Sequence, residues 1–459
     1  MSVFYLKYKP HYRDNLKLAI PVVISQLGHT LVQTSDTIIV GHFAGTISLA
    51  AVALATSIFT IPLIIGIGIS YGSTPLIAQH NGRGEFAECG QLLSNSLFIN
   101  AITGVILFGL VCLGSIYLLD DLHQSQQVLI KAKPFLMLLA LSVIPMLIFN
   151  TFKQFAEGLG FTKQAMLISI WGNILNICLG ITFVKGLFGI HPMGIMGAGY
   201  STLIDRCVMS IVMGVYVFKS KNFRKYLKDF SVRNVNRVRS LSILKIGAPV
   251  ALQYAFEISA FSAAAILMGT IGVLPQAAHQ IAINLASMTY MMSSGVSAAA
   301  AIKSGNYFGA KDHGGLRLSA NASYHIVLIF MAFTALIFTF GNNLLPWIYT
   351  SDKAVIGIAA QLLILAAIFQ LFDGAQVVGL GILRGMGDVN IPTVITFLAY
   401  WVVGLPIGYY WGIHLNWGPS GIWYGLVLGL MVSAVLLYIR FKIISKHQRF
   451  RQSIIIAKD

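Results

Sequence analysis

One apolar segment of this chain reads Leu244-Lys-Ile-Gly-Ala-Pro-Val-Ala-Leu-Gln-Tyr-Ala-Phe-Glu-Ile-Ser-Ala-Phe-Ser-Ala-Ala-Ala-Ile-Leu-Met-Gly269. The segment is long enough to cross a bilayer as a helix, and a carboxylate, Glu257, lies near its middle. A carboxylate at that depth costs about 3 kcal/mol unless a cation, a proton or a wet cavity compensates its charge. Glu257 is therefore a candidate functional residue.

The composition is that of a polytopic membrane protein. Of the 459 residues, 56% are hydrophobic and 10% are charged, whereas about a quarter of a soluble globular chain is charged. The formal net charge of +16 comes from Lys and Arg that lie mainly between the apolar runs. This is the positive-inside pattern of membrane proteins, so we expect no nucleic-acid partner.

Apolar runs recur along the whole length and predict an all-α polytopic protein with about twelve transmembrane helices. Open sheet cannot satisfy its backbone in lipid, and no alternating pattern of a barrel occurs. The first six spans are predicted at 15–39, 48–78, 91–118, 130–156, 164–185 and 194–218. The second six are predicted at 244–269, 277–303, 318–345, 354–383, 391–412 and 419–440.

Lys and Arg cluster in the N-terminal segment, in the central linker and in the C-terminal tail, which places both termini in the cytoplasm. The loops on the opposite side are short and nearly free of basic residues. We interpret the basic linker as a topology signal and a tether. The predicted domains are an N-terminal lobe (1–218), the linker (219–243), a C-terminal lobe (244–440) and a cytoplasmic tail (441–459).

The two sets of six spans repeat each other. The matching pairs are Leu16-Lys-Leu-Ala-Ile-Pro21 with Leu244-Lys-Ile-Gly-Ala-Pro249, Gln79-His-Asn-Gly82 with Asn306-Tyr-Phe-Gly309, and Glu157-Gly-Leu-Gly160 with Arg384-Gly-Met-Gly387. With six spans each, both halves enter the membrane from the same side, so the pseudo-two-fold axis runs along the membrane normal. This predicts two pseudo-symmetric six-helix bundles that face each other across a central cavity.

Several motifs, in this order and spacing, resemble the multidrug and toxic compound extrusion (MATE) transporters, particularly their NorM-like bacterial branch. They are Pro21 with Asp36, Pro75-Leu-Ile-Ala-Gln79-His-Asn-Gly82, Pro249 with Phe256-Glu257, Ala277-Ala-His279-Gln280, Asp373-Gly-Ala-Gln376, and Leu383-Arg384-Gly385-Met-Gly387-Asp388. The resemblance implies two lobes that alternate between outward and inward openings. It also implies export of varied, often cationic drugs and dyes, driven by entry of Na⁺ or H⁺. We therefore expect a multi-pass protein of the bacterial inner membrane, monomeric, with no cofactor beyond the coupling ion.

Glu257 shares a helical face with Gln253, one turn earlier, and Phe261, one turn later. Such a face suits a cation, because carboxylate oxygens hold Na⁺ or H⁺ and aromatic rings attract organic cations. The resemblance assigns Glu257 and Asp373 to the cation site of the C-terminal lobe. Two carboxylates that converge on one cavity favour binding a cation or sharing a proton.

The residues around Asp373 complete this predicted site. Phe369, one turn before Asp373, stands where some relatives have a Tyr. Gln376 lies close after Asp373 and adds an amide near the same carboxylate. Among the many aromatic and Met residues of this half, Tyr290 is the predicted drug contact, because flat rings suit varied ligands.

The resemblance also implies that Asp36 couples transport to a cation in the N-terminal lobe. Asp36 and Gln33 lie in Gln33-Thr-Ser-Asp36-Thr37, which is polar for the interior of a span. Asn176 resembles an Asn that relatives place near this acid. The branch often has a second Asn one turn later, where this chain has Gly180.

Two charged residues inside the sixth span, Asp205 and Arg206, are interpreted as structural. Adjacent residues point about 100° apart on a helix, so they cannot form a simple facing pair. We expect each to find another partner.

Two rival functions remain open. A lipid-linked saccharide flippase of the same superfamily would need Arg or Lys in its cavity to hold pyrophosphate, whereas the predicted span interiors are acidic. An intramembrane enzyme would need a nucleophile with a base, or a set of metal ligands, and the spans carry neither pattern. The protein is therefore predicted not to be an enzyme, and the choice between Na⁺ and H⁺ stays open.

Overall fold

The structure, a computed structural model, describes residues 3–117, 119 and 125–456. In this part of the chain every regular element is helical, so the predicted all-α fold is confirmed. The first seven α-helices are α1 (Val3–Ala44), α2 (Thr46–Ser70), α3 (Ser73–Arg83), α4 (Phe86–Tyr117), α5 (Gln126–Gly158), α6 (Thr162–Lys185) and α7 (Ile195–Lys219). The others are α8 (Arg237–Ile271), α9 (Val273–Gly309), α10 (His313–Phe340), α11 (Lys353–Gly385), α12 (Asn390–Phe397), α13 (Leu405–Tyr409) and α14 (Gly418–Ile456).

Eleven stretches of the described residues are long and apolar enough to cross a membrane. They coincide with eleven of the predicted spans, and the remaining one, 15–39, lies inside α1. The second predicted span consists of two helices, α2 and α3, separated at Tyr71 and Gly72. A side chain at Gly72 would lie 2.4 Å from the carbonyl oxygen of Ile243 in α8, so glycine allows this close approach.

The internal repeat is visible in the turns that end α5 and α11. Gly160 and Gly387 both have positive φ, 87° and 81°, a conformation that glycine adopts without strain. The amide of Gly160 donates to the Glu157 carbonyl at 2.8 Å, and that of Gly387 donates to the Arg384 carbonyl at 2.9 Å. The two sequence motifs therefore form the same helix-ending turn.

The described helices group into two compact units. The N-terminal unit comprises Ile24–Ala251, and the C-terminal unit comprises Met1–Val23 with Leu252–Asp459. The boundaries fall inside α1 and α8, within three residues after the repeat-related Pro21 and Pro249. Residues 1–23 thus group with the C-terminal half, and the lobe boundaries drawn from the sequence stay a prediction.

In the C-terminal unit, α9 and α11 run parallel and pack closely through small residues. A Cβ at Gly381 would lie 2.4 Å from the carbonyl oxygen of Ser297, and one at Gly385 would lie 2.3 Å from that of Ala301. The Ser297 hydroxyl donates to the Val377 carbonyl at 2.6 Å. This contact fixes the register between two helices that carry candidate site residues.

The eleventh predicted span is irregular. Between α12 and α14 the backbone forms π-helical segments at Leu398–Gly404 and Tyr410–His414, on either side of the short α13. A π-helical turn inserts an extra residue and rotates the side chains that follow, and such turns often occur at functional sites. Tyr400 lies in the first segment and is almost fully buried, with 1% of its surface exposed.

The central linker is folded. A 3₁₀ turn at Lys221–Phe223 buries the Phe223 ring completely, and α8 begins at Arg237, before the predicted 244. Arg239 pairs with Glu88 of α4 through two hydrogen bonds of 3.0 Å. The Asn95 side chain accepts from the backbone N–H of Asn236 at 2.7 Å. The linker therefore docks on α4 within the N-terminal unit and is more than a tether.

Candidate cation and substrate sites

A cavity of about 400 Å³ opens in the C-terminal unit between α8, α9 and α11. Glu257 and Asp373 line it, and they are the only carboxylates among the lining residues that the structure describes. Among the described residues that line it there is no Lys or Arg. The rest of the wall is mainly aromatic and aliphatic, with a few small polar side chains and His279. The cavity is therefore acidic and largely apolar.

Glu257 and Asp373 are buried, with 5% and 3% of their surfaces exposed. Asp373 and Arg384 are the charged groups that act on Glu257 electrostatically. Arg384 of α11 lies over the ring of Tyr254, 5.7 Å from the ring centre. Tyr254 is about one turn before Glu257 on α8. Because an isolated buried charge is costly, two neighbouring carboxylates in this cavity favour the binding of a cation or a proton.

Aromatic rings surround the two acids. Tyr290 and Phe261 line the cavity, and Phe369 meets Phe261 edge-on at 5.9 Å between ring centres. The Tyr400 ring lies 5.7 Å from that of Phe261. Both Tyr290 and Tyr400 are close enough to Glu257 and Asp373 to interact with their charges. The faces of such rings attract organic cations.

Two predicted residues, Gln253 and Gln376, lie outside the cavity wall. Gln253 donates to the Val389 carbonyl at 3.2 Å and to the Thr393 hydroxyl at 3.0 Å. Gln376 is fully buried, and its amide nitrogen donates to the Tyr400 hydroxyl at 3.0 Å. Gln253 thus ties α8 to α12, whereas Gln376 holds Tyr400 beside the acids.

Sequence reasoning missed Tyr254 and Tyr400, and it named His279 only as part of the motif Ala277-Ala-His279-Gln280. Tyr254 could have been found, since it is three residues before Glu257 on the same helical face. Tyr400 carried no local signal, because the π-helical segment and the packing against Gln376 determine its position. His279 lines the cavity and also accepts from the Trp423 ring N–H at 3.1 Å.

In the N-terminal unit, the side chains of Asp36 and Asn176 both lie near the hydroxyl of Thr202. The Asn176 amide donates to Thr202 Oγ1 at 3.4 Å, and Thr202 Oγ1 lies 3.5 Å from Asp36 Oδ2. A Cβ at Gly180 would lie 3.9 Å from Asp36 Oδ1, so the carboxylate of Asp36 lies next to α6 at Gly180. The side chain of Gln33 lies outside the described residues.

Arg206 is buried in the same region. Its guanidinium donates to the Ser142 hydroxyl at 2.7 Å and lies over the Phe59 ring, 5.6 Å from the ring centre. Asp205 and Asp36 are the acidic groups that act on Arg206 electrostatically. Arg206 therefore has the expected partners on other helices, namely Ser142 of α5, Phe59 of α2 and Asp36 of α1.

A second buried charge pair in the N-terminal unit, Lys153 and Glu157, was also missed. The Lys153 ammonium donates to the Ser25 hydroxyl at 3.1 Å and lies 3.9 Å from Glu157 Oε1. Lys153 and Glu157 are one turn apart on α5, and that spacing is the signal that could have revealed them.

Comparison with known proteins gives a consistent result. The MatE family model matches residues 21–182 and 249–410, once in each half. The chain is 33% identical over 437 residues to the probable multidrug resistance protein NorM of Xanthomonas campestris pv. campestris, covering 95% of both chains. It is also 33% identical over 447 residues to the multidrug resistance protein MdtK of Yersinia pseudotuberculosis, covering 96% of this chain and 97% of that protein.

Solved structures share the fold. A crystal structure of MATE in the bent conformation superposes with a TM-score of 0.89 at 20% identity, over 99% of this chain and 100% of that chain. The eukaryotic MATE transporter AtDTX14 superposes with a TM-score of 0.85 at 19% identity, over 97% of this chain and 99% of that chain. At these identities the likeness concerns the fold.

Proposed function

Since this chain belongs to the MatE family, we propose that it is a secondary active multidrug exporter that exchanges organic cations for Na⁺ or H⁺ across the bacterial inner membrane. The observation that carries this proposal is the cavity of the C-terminal unit, where Glu257 and Asp373 are the only carboxylates in the described part of a largely aromatic and aliphatic wall. Its activity is transport, with no bond made or broken in the substrate.

The cavity suits a flat, positively charged organic molecule. Its volume of about 400 Å³ lies in the usual range for small-molecule pockets. Glu257 and Asp373 supply negative charge, while Phe261, Phe369 and Tyr290 supply ring faces. Contacts of this kind depend on charge and shape more than on fixed hydrogen bonds, which supports the acceptance of varied drugs and dyes. The names of the relatives as multidrug resistance proteins agree with such a substrate range.

Exchange follows from competition for the same charge. A drug cation and the coupling ion both need Glu257 and Asp373, and binding of either one reduces the negative charge available to the other. If Na⁺ or H⁺ binds more tightly to one conformation of the protein than to the other, its entry shifts the population and releases the drug on the far side. Asp36 in the N-terminal unit is a second proposed coupling residue.

The alternative, a flippase for lipid-linked saccharides, has less support. A pyrophosphate would need cationic side chains that point into the cavity. The described lining has no Lys or Arg, and Arg384 lies over the Tyr254 ring instead.

The test is efflux of ethidium from proteoliposomes with imposed Na⁺ and pH gradients applied separately. We expect Glu257→Gln and Asp373→Asn to reduce efflux to the level of empty liposomes, because the cavity loses the charge that both ligands need. The matched control is Asp229→Asn, which removes an exposed carboxylate of the linker. Unchanged efflux by correctly inserted Glu257→Gln protein would overturn the proposal.

A further inference from the structure

His279 lines the cavity of the C-terminal unit in a region apart from the two acids. It lies near the start of α9, and only 1% of its surface is exposed. Glu257 and Asp373 both act electrostatically on Tyr290, whereas no charged group among the described residues acts on His279. Tyr290 is eleven residues later on α9, about 16 Å along the helix axis. The cavity therefore has an acidic region near Tyr290 and a neutral region near His279.

Trp423 of α14 fixes the tautomer of the His279 ring. Trp423 is completely buried, and its ring N–H donates to His279 Nδ1 at 3.1 Å. The two rings meet edge-on, with 5.8 Å between their centres. An indole N–H can only donate, so Nδ1 is the acceptor and carries no hydrogen. A charged imidazole would donate from both nitrogens, so this bond keeps the ring neutral, with its hydrogen on Nε2.

The Nε2–H of His279 is available to a molecule in the cavity. Among the described residues, the ring makes no hydrogen bond besides the one with Trp423. Nε2 is not one of the buried polar atoms without a partner, so part of its surface is accessible. Because Nδ1 is directed at Trp423, Nε2, on another side of the ring, is directed away from it. His279 therefore offers one hydrogen-bond donor to the cavity.

This donor differs from the other polar groups of the wall. Gln280 donates to Asn284 at 3.1 Å, and the Ser287 hydroxyl donates to the Ile283 carbonyl at 2.8 Å. Hydroxyl groups can accept as well as donate, and ionised carboxylates only accept. The Nε2–H of His279 can only donate, so it selects for an acceptor on the ligand.

We propose that His279 is a specificity-determining residue of the cavity, which donates a hydrogen bond from Nε2 to an acceptor that an organic cation carries at the end away from its positive charge. The inference rests on the proposed function and adds to it the class of preferred substrate, cations with a distal carbonyl, ether or aromatic nitrogen. Trp423 is a positioning residue, because it keeps the hydrogen on Nε2.

The test compares the binding of two cations of the same shape to the purified protein. The first is an N-methylpyridinium with a para-acetylphenyl group opposite its nitrogen, which places a carbonyl acceptor far from the charge. In the para-isopropenylphenyl analogue a CH₂ group replaces the carbonyl oxygen. Isothermal titration calorimetry measures both affinities. We expect the acetyl cation to bind about five-fold more tightly, the factor that one net hydrogen bond gives.

Variants at His279 separate the donor from the shape of the cavity. His279→Leu should reduce the affinity ratio to about one, by weakening the binding of the acetyl cation alone. His279→Gln should keep part of the ratio, because its amide offers an acceptor to Trp423 and an N–H to the ligand. The matched control is His414→Leu, the same exchange at an exposed position, which should keep the full ratio.

The role of Trp423 is measured from nitrogen-15 spectra of the His279 ring. Trp423→Phe removes the indole N–H, so the hydrogen can move to Nδ1, and Nε2 then becomes an acceptor. We expect a hydrogen on Nε2 in the unmodified protein and a mixture of both tautomers in the variant, with an affinity ratio that falls toward one. An unchanged tautomer and ratio in Trp423→Phe protein would contradict the positioning role.

Two further outcomes would overturn the inference. One is equal affinity of the unmodified protein for the two cations, and the other is a full ratio in folded His279→Leu protein. If His279→Leu does not fold, the proton resonance of Nε2–H decides instead, because the acetyl cation should move it farther downfield than the isopropenyl cation. Equal shifts would contradict the donor role. Failure of ethidium export by the unmodified protein would instead contradict the proposed function, and the two failures are therefore distinguishable.

Discussion

Each unit contains two carboxylates and a buried arginine in one region, but the arginine interacts differently with the acids in the two units. In the C-terminal cavity Arg384 lies over the Tyr254 ring and acts on Glu257. Asp373 is eleven residues earlier on the same helix, about 16 Å along its axis. In the N-terminal unit Arg206 directly follows Asp205 in the sequence and interacts electrostatically with both Asp205 and Asp36.

This difference concerns how the negative charge of each pair of acids is balanced. Two carboxylates that face a roomy aromatic cavity leave negative charge that an organic cation can balance. Two carboxylates that share a buried guanidinium already have part of their charge balanced inside the protein. The comparison therefore supports the cavity of the C-terminal unit as the proposed drug site.

The largest effect is expected from giving the cavity a tethered cation of its own. Met291 lines the cavity, and Met291→Lys places an ammonium near Glu257 and Asp373. At about 4 Å and an effective dielectric constant of about 20, the repulsion between two like charges is about 4 kcal/mol. We expect ethidium to bind about two to three orders of magnitude more weakly, measured by fluorescence anisotropy of the purified protein.

Met291→Gln is the matched control, because it is similar in length and polar but uncharged. It should bind ethidium within a few-fold of the unmodified protein. Equal losses of affinity for the Lys and Gln variants would show that packing at position 291, rather than charge, determines ethidium binding. That result would contradict the role given to the negative charge of the cavity.

Local patterns in the sequence predicted much of this arrangement. The spans followed from apolar run lengths, and Glu257, Asp373, Phe261 and Tyr290 followed from polar or aromatic residues in those runs and from the resemblance. Gln253 shows the limit of such reasoning. Helical spacing gives the direction of its side chain, but its hydrogen-bond acceptors are the Val389 carbonyl just before α12 and the Thr393 hydroxyl in α12.

The surroundings of Asp205 and Arg206 could not be derived in this way. Adjacent residues on a helix point apart, so the pairing of Asp205 and Arg206 looked unproductive from sequence. The fold brings Asp36 from α1 within reach of the same guanidinium and turns two α6 glycines toward the acids. These relations depend on packing between distant segments, which periodicity along one helix does not contain. At Gly180 the resembling branch often has an Asn. In this structure the absence of a side chain there leaves space beside the carboxylate of Asp36.

A smaller effect should separate the two α6 glycines. A Cβ at Gly172 would lie 2.5 Å from Met209 and 2.8 Å from Asp205 Oδ1, whereas at Gly180 its nearest neighbours are at 3.5 Å or beyond. Gly172→Ala should therefore displace Asp205 and destabilise the protein by about 1–3 kcal/mol. Gly180→Ala should be neutral or stabilising by up to about 1 kcal/mol, because alanine favours helix.

Thermal unfolding in detergent measures the stability of both variants. We expect Gly172→Ala to unfold at a lower temperature than the unmodified protein and Gly180→Ala to unfold at the same temperature or higher. Equal unfolding temperatures for the two variants would show that the close approach of Met209 and Asp205 to Gly172 does not limit the packing of α6 against α7.

The smallest effect on ligand binding is expected from the hydrogen bonds that hold Arg206 in one unit and Tyr400 in the other. Ser142 accepts from Arg206 in the N-terminal unit, while Gln376 and Tyr400 bond each other beside the cavity acids. Tyr400→Phe removes the hydroxyl and leaves the fully buried Gln376 amide with an unmet bond, at a cost of about 1–3 kcal/mol. Thermal unfolding should detect this loss, with ethidium affinity falling only a few-fold because the ring remains.

Tyr410→Phe, at an exposed position of the second π-helical segment, is the control and should change neither quantity. If both variants unfold at the same temperature, the Gln376–Tyr400 pair does not stabilise the cavity wall, and the aromatic packing of Tyr400 on Phe261 must hold the ring alone.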